Sequence, residues 1–186
     1  MNYPYLIETW PEFSARIEAF ISQLGLDKLS LECDHCALRV NDADKAKLLT
    51  EQFSEHDEVI SNNMINGRPI LIIKLTQPLT LADKNVTCVE LPYPSDKNYP
   101  VEGWEHVELV MPSTAQTCEQ LVTELVEKVP TLAPIIAGET AIKVKQSSPK
   151  GDNERLANPT IAFKAEGICV KVHPLGIEAI IASELN

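Results

Sequence analysis

Basic side chains are in short supply. The sequence of 186 residues holds 16 lysines and arginines against 27 aspartates and glutamates, a formal net charge of -11, and its pI is near 4.8. A field of that sign repels phosphate backbones and anionic lipid surfaces. It argues against nucleic-acid and membrane partners and favours local capture of cations. No apolar run approaches the roughly 20 residues that cross a bilayer. Met1-Asn2-Tyr3-Pro4 starts no basic region followed by an apolar stretch, so no secretory leader is expected. A Gly-rich nucleotide fingerprint is also missing. Cysteines number five, an odd count without the spacing of a disulfide framework, which fits reduced thiols in a cytoplasm. Cys33-x-x-Cys36 is the only close pair. A regular strand turns residues three apart to opposite faces, which suits joint ligation badly.

What the chain does have is a repeated acid-His pair. Glu105-His106-Val107-Glu108-Leu109 reads as the start of a strand, and Asp34-His35-Cys36-Ala37-Leu38 echoes it 71 positions earlier. The chain around these two strands repeats as well. Residues 10 to 25 read as an N-terminal helix, with Thr9 as cap, Pro11 in the first turn, Gly25 as stop, and a stripe of Phe13, Ile17, Phe20, Ile21 and Leu24. It has no later counterpart, so residues 1-30 form an extension packed on the main body.

A first module, 31-94, follows. Strand Glu32 to Val40 leads to a helix capped by Asn41 or Asp42, with Ala46, Leu49 and Phe53 as its inner stripe. Strands then come at Glu58 to Ser61, Pro69 to Leu75 and Val86 to Leu91, with a tight turn at Asn66-Gly67. After a polar connector, 95-103, the second module (104-186) repeats the order. Strand Glu105 to Met111 precedes a helix opened by the capping box Ser113-x-x-Gln116. Strand candidates follow at Ile135 to Ile136, Thr140 to Lys145, Thr160 to Lys164 and Ile168 to His173, then a short helix over 175-184. The expected fold class is α+β: two tandem βαβββ modules side by side in one curved mixed sheet, helices outside, a cup inside.

Alternation with period two assigns the faces. Cys36, Leu38 and Val40, and in the repeat Val107, Leu109 and Met111, face the helices. The cup then receives His35, Arg39, Glu90, His106, Glu108, Lys171 and His173. So many polar groups on one interior face are costly without pairing or function. Two imidazoles and one carboxylate, here His35, His106 and Glu90, form a common set for a divalent metal such as zinc, iron, manganese or nickel, with positions left open for water or substrate. Glu108 and Lys171 are the candidates for moving a proton. Arg39, His173 and Lys150, the last in the small-residue loop Ser147 to Gly151, are candidates for holding an anionic substrate. The same residues admit plainer roles. Arg39 can pair with Glu108, Lys171 can neutralise Glu90, His173 before Pro174 can hold a turn, and Lys150 can sit in an ordinary exposed loop. His56, in a run of charges, reads as a solvated loop residue.

The tandem βαβββ pattern with a histidine opening each module resembles the vicinal oxygen chelate superfamily, which includes glyoxalase I, methylmalonyl-CoA epimerase and extradiol dioxygenases. That resemblance implies ligand positions at His35, Glu90, His106 and Lys171. Lysine stands where a carboxylate is usual, so it implies three ligands, or His173 as a substitute fourth, or a Lys171-Glu90 pair with no metal. Asn63-Met64-Ile65-Asn66-Gly67-Arg68-Pro69-Ile70, Glu90-Leu91-Pro92-Tyr93-Pro94, Gly103-Trp104-Glu105-His106, Ser147-Ser148-Pro149-Lys150-Gly151 and Asn158-Pro159-Thr160 are similar to motifs of the bacterial YecM family. This second resemblance spans about residues 30 to 184. It implies the vicinal oxygen chelate fold and a metal site, and names no reaction. Within that superfamily the expectation is a metal-dependent isomerase, lyase or dioxygenase acting on a small, anionic, oxygenated metabolite, as monomer or homodimer. The alternative from another class is a metal-free protein that sequesters a small molecule in the same cup.

Overall fold

The structure, a computed structural model, describes residues 1-148 and 156-184. Helix α1 spans Tyr3-Leu24 and a short 3-10 turn covers Leu26-Leu29. The first repeat is β1 (Glu32-Arg39), α2 (Ala43-Ser54), β2 (Glu58-Ile65), β3 (Arg68-Leu81) and β4 (Lys84-Pro92). The second is β5 (Gly103-Val110), α3 (Cys118-Lys128), a one-turn helix α4 (Leu132-Ile136), β6 (Lys143-Ser147), β7 (Thr160-Ala165) and β8 (Ile168-His173), and helix α5 (Ile177-Glu184) follows it. All eight strands join one mixed sheet in the order β2-β3-β4-β1-β5-β8-β7-β6. In each repeat the first strand lies parallel to the last, β1 with β4 and β5 with β8, and the two halves meet where β1 runs antiparallel to β5. The α+β class and the tandem order of two βαβββ repeats in one mixed sheet are as expected.

One side of the sheet carries the core. Cys36, Leu38, Val89, Leu91, Val107, Leu109, Val170 and Val172 are buried there against α1, α2 and α3. Asn66 and Gly67 both adopt positive φ between β2 and β3, the backbone that a tight two-residue hairpin turn requires.

Several local expectations are corrected. Helix α1 starts seven residues earlier than the sequence suggests. Asn2 is its cap, accepting from the Tyr5 amide at 3.0 Å, and the proline at its start is Pro4, leaving Pro11 inside the helix. Thr9 donates its hydroxyl back to the Tyr5 carbonyl at 2.8 Å. Ile135 and Ile136, β-branched and strand-like in sequence, lie in α4. The cap of α3 is Thr117, whose hydroxyl accepts from the Gln120 amide at 3.2 Å, while Ser113 bonds the Ala115 amide in the preceding turn. Replacing a capping hydroxyl typically lowers stability by about 1 kcal/mol. Thr117→Ala is therefore expected to lose about that much in urea denaturation, and Ser113→Ala only a few tenths.

Candidate metal centre

The acid-His pairs are placed by two matching irregularities. In the β1-β5 ladder Cys33 pairs with Leu109 and His35 with Glu108, so Asp34 is an extra residue. Ala37 pairs with His106 and Leu38 with Trp104, so Glu105 is an extra residue in the other strand. A bulge of this kind lets two successive side chains emerge on one face. Asp34 and His35 thus both turn to the face away from the core, as do Glu105 and His106. The flanking residues, Cys33 with Cys36 and Trp104 with Val107, pack on the core side. The expectation that Cys33 and Cys36 lie on opposite faces is overturned by this shift in parity.

Each acid then holds its histidine. Asp34 Oδ1 lies 3.1 Å from His35 Nδ1, and Glu105 bonds His106 Nδ1 through a short contact. With Nδ1 of each ring held by a carboxylate, Nε2 of each points into the cup toward Glu108. Glu90 arrives from β4 beside Ala37, and Glu108 stands directly across from His35 and from Lys171. Ligand-competent atoms of His35, Glu90, His106 and Glu108 all lie within 4.8 Å of one another. His35 Nε2 is 3.9 Å from Glu90 Oε2 and 3.5 Å from Glu108 Oε1. His106 Nε2 is 3.3 Å from Glu108 Oε1. His35 and His106 are almost wholly buried.

The ion pairs differ from both pairings considered in the sequence. Lys171 Nζ donates to Glu108 Oε1 at 2.8 Å rather than to Glu90. Arg39 pairs with Glu105 at 3.1 Å rather than with Glu108, and its guanidinium lies over the Tyr99 ring. His173 is fully buried, with Nε2 3.3 Å from Asp34 Oδ1 and Nδ1 3.7 Å from Glu108 Oε2. His56 is solvent-exposed, and Lys150 lies outside the described residues. Helix α5 closes one end of the cup, where the Ile177 amide donates to Asp34 Oδ2 at 2.6 Å and Glu178 meets Lys74. A cavity of about 570 Å³ opens beside Asp34, walled also by Lys84, Gly176 and Glu178, and none of the histidines lines it.

Electrostatics follow from these contacts. Burial opposes charge on every group here, and partners override it. Lys171 and His35 hold the Glu108 carboxyl well below the usual carboxylate range. Glu108, with help from Glu90, raises the Lys171 ammonium above its ordinary value. Asp34 and Glu108 raise the His35 imidazole. Asp34 is held low by His35 and His173, and Glu105 by His106, Arg39 and Lys164.

One atom tests whether the set suits a divalent cation. His106 Nε2 is buried and has no hydrogen-bond partner, although its ring is fixed by Glu105 on the other side. An imidazole lone pair buried in this way costs free energy unless something electron-poor meets it. Two such rings with two carboxylates are a donor set for zinc, iron or manganese. Asp34 and Glu105 were not singled out in the sequence for this orienting role. The signal for both was there: an acid immediately before each histidine.

The family model described as YecM protein matches residues 2-184 of the chain. The protein is 40% identical over 174 residues to Protein YecM of Escherichia coli (strain K12), covering 94% of this chain and 89% of that one. It is 35% identical over 179 residues to an uncharacterized protein of Haemophilus influenzae, covering 94% and 91%. Among solved structures it is similar to one described as "Structural Genomics, Protein EC4020", at 33% identity and a TM-score of 0.75, covering 97% of this chain and 92% of that one. With a family match along nearly its whole length and relatives this close, the chain belongs to the YecM family.

Proposed function

We propose that the protein binds one divalent metal ion in the cup, through His35, His106 and Glu90, and uses it on a small anionic oxygenated metabolite. The observation that carries this reading is the buried, unpartnered Nε2 of His106, set among donors on three different strands. When bound, such an ion acts as a Lewis acid toward the metabolite's oxygens, the chemistry shared by isomerases, lyases and dioxygenases of this architecture. The chain's own residues prepare the place. Asp34 and Glu105 orient the two rings. Lys171 keeps Glu108 ionised at the mouth and offers a positive group for a substrate carboxylate. Arg39 is occupied by Glu105, so it and His173 act by positioning. All four candidate ligands lie on one chain, a set that a monomer can supply. Among the described residues no helix is long and apolar enough to cross a membrane. Five free cysteines suit the reducing cytoplasm we take as its location.

A second reading has its own observation. Lys171 and Glu108 already neutralise each other at 2.8 Å, as expected of a metal-free cup that sequesters a small molecule. Metal analysis of protein purified without chelator separates the two. The first reading expects near-stoichiometric metal, a thermal midpoint raised by added metal, and loss of both in His35→Ala. Only trace metal, with no metal-dependent stabilisation, would overturn it in favour of the second.

A further inference from the structure

The vicinal oxygen chelate pattern leaves a vacancy, since Lys171 occupies the position from which a fourth carboxylate ligand would come. We propose that Glu108, one strand inward, supplies that ligand, and that Lys171 is the cation that balances it. The inference rests on the metal-binding reading above. It changes the role of Glu108 from a proton-moving group to a ligand, and that of Lys171 from a failed ligand to a charge partner.

Distance is the first argument. Two donor atoms each about 2.0 to 2.2 Å from one ion, and roughly 105 to 110° apart, stand about 3.2 to 3.6 Å from each other. Glu108 Oε1 meets that spacing to both rings, at 3.5 Å from His35 Nε2 and 3.3 Å from His106 Nε2. Glu90 Oε2, at 3.9 Å from His35 Nε2, is the looser of the two carboxylates. Register is the second. β5 and β8 are parallel, with Glu108 directly beside Lys171, and β1 sets His35 on the opposite flank of Glu108. The ammonium and both rings meet the same oxygen, Oε1, which can accept from Lys171 with one lone pair and offer the other to a cation. Burial is the third. Glu108 is 7% exposed, and the buried Nε2 of His106, 3.3 Å from Glu108 Oε1, makes no well-formed hydrogen bond. A carboxylate that served only Lys171 would give no reason for that orphaned ring nitrogen to face it.

The charges around the site also balance. Glu90 and Glu108 neutralise a divalent ion when the imidazoles are neutral, and Lys171 and Arg39 offset Asp34 and Glu105 behind the rings.

The test is titration of the metal-free full-length protein with cobalt(II), followed by visible absorption and by calorimetry. Glu108→Gln alone removes a negative charge and lowers affinity whether or not Glu108 is a ligand. The deciding variant is therefore Glu108→Gln with Lys171→Met. It deletes a neutral pair and leaves neither partner buried alone. If Glu108 is a ligand, this double variant loses roughly a hundredfold or more in cobalt affinity, beyond the usual outer-shell range, and its cobalt absorption bands shift. Lys171→Met alone keeps the wild-type bands and binds more tightly, because the ammonium no longer competes for the carboxylate. If the double variant, folded by circular dichroism, binds within threefold of wild type with unchanged bands, the proposal is overturned while the metal site stands. If wild type itself takes up no cobalt, both fail together.

Discussion

Trp10→Ala is expected to remove about 3 to 5 kcal/mol of stability, a large part of the roughly 5 to 15 kcal/mol that a domain possesses. The indole is 6% exposed. It meets Trp104 edge-on, with ring centroids 5.0 Å apart, and lies 5.6 Å from the Phe13 ring. Its Nε1 donates to the Thr80 carbonyl on β3 at 2.8 Å, and Trp104 Nε1 reciprocates by donating to the Leu6 carbonyl of α1 at 2.8 Å. Truncation would open a cavity between helix and sheet and unmake one of these two ties. Trp10→Phe keeps most of the apolar volume and is expected to cost less than half as much. Guanidinium unfolding, with the slope checked for constancy, measures both. A loss under about 1 kcal/mol for the alanine variant would mean that α1 is an appendage and not part of the core. The effect also reaches the site. Trp104 is the residue just before the Glu105 bulge, so the anchor that docks α1 fixes the start of the segment carrying His106.

Much of this was legible in the sequence, because periodicity reports faces well. Alternation put Val107, Leu109, Val170 and Val172 in the core and His106, Glu108 and Lys171 opposite, and the strands agree. Repetition of the acid-His pair placed His35 and His106 at matching positions. What alternation cannot show is a residue that breaks it. A bulge adds one position without changing composition, so Asp34 and Glu105 looked like residues of the helix-facing parity when both enter the cup. Their trace was indirect: apolar residues spaced by three, Cys33 with Cys36 and Trp104 with Val107, around each acid-His pair. Ion pairing was illegible for a related reason. Lys171 was matched to Glu90 by repeat symmetry, yet the partner it reaches is Glu108 on the adjacent strand, and adjacency depends on strand order. Helix α5 was seen as an element, but not its seat over Asp34, since the Ile177 amide bond joins residues 143 positions apart.

The bulges lead to the second large effect. Asp34→Asn and Glu105→Gln are each expected to weaken divalent-metal binding about ten- to a hundredfold, although neither touches the ion. A carboxylate on Nδ1-H fixes the tautomer that leaves Nε2 free, holds the ring plane, and makes the ring a stronger donor. A neutral amide of the same shape keeps the volume and loses the charge. The same carboxylates should govern the acid limb of stability in the metal-free protein. Their folded pKa values lie below the ordinary carboxylate value of about 4. Their contribution is therefore present above about pH 4 and is lost as pH falls below it, where the unfolded chain takes up protons that the folded chain does not. Wild type should lose stability steeply on acidification through this window, and the double variant that combines Asp34→Asn with Glu105→Gln less steeply. Calorimetric titration with metal, and denaturation at a series of pH values between about 2.5 and 6, measure the two effects separately. Metal affinity within threefold of wild type in both single variants would show that the acids do not orient the rings. A parallel acid limb in the double variant would show that their charges are not what the folded state protects. If both effects appear, the acid before each histidine is there because a bulge lets it stand behind the ring it directs.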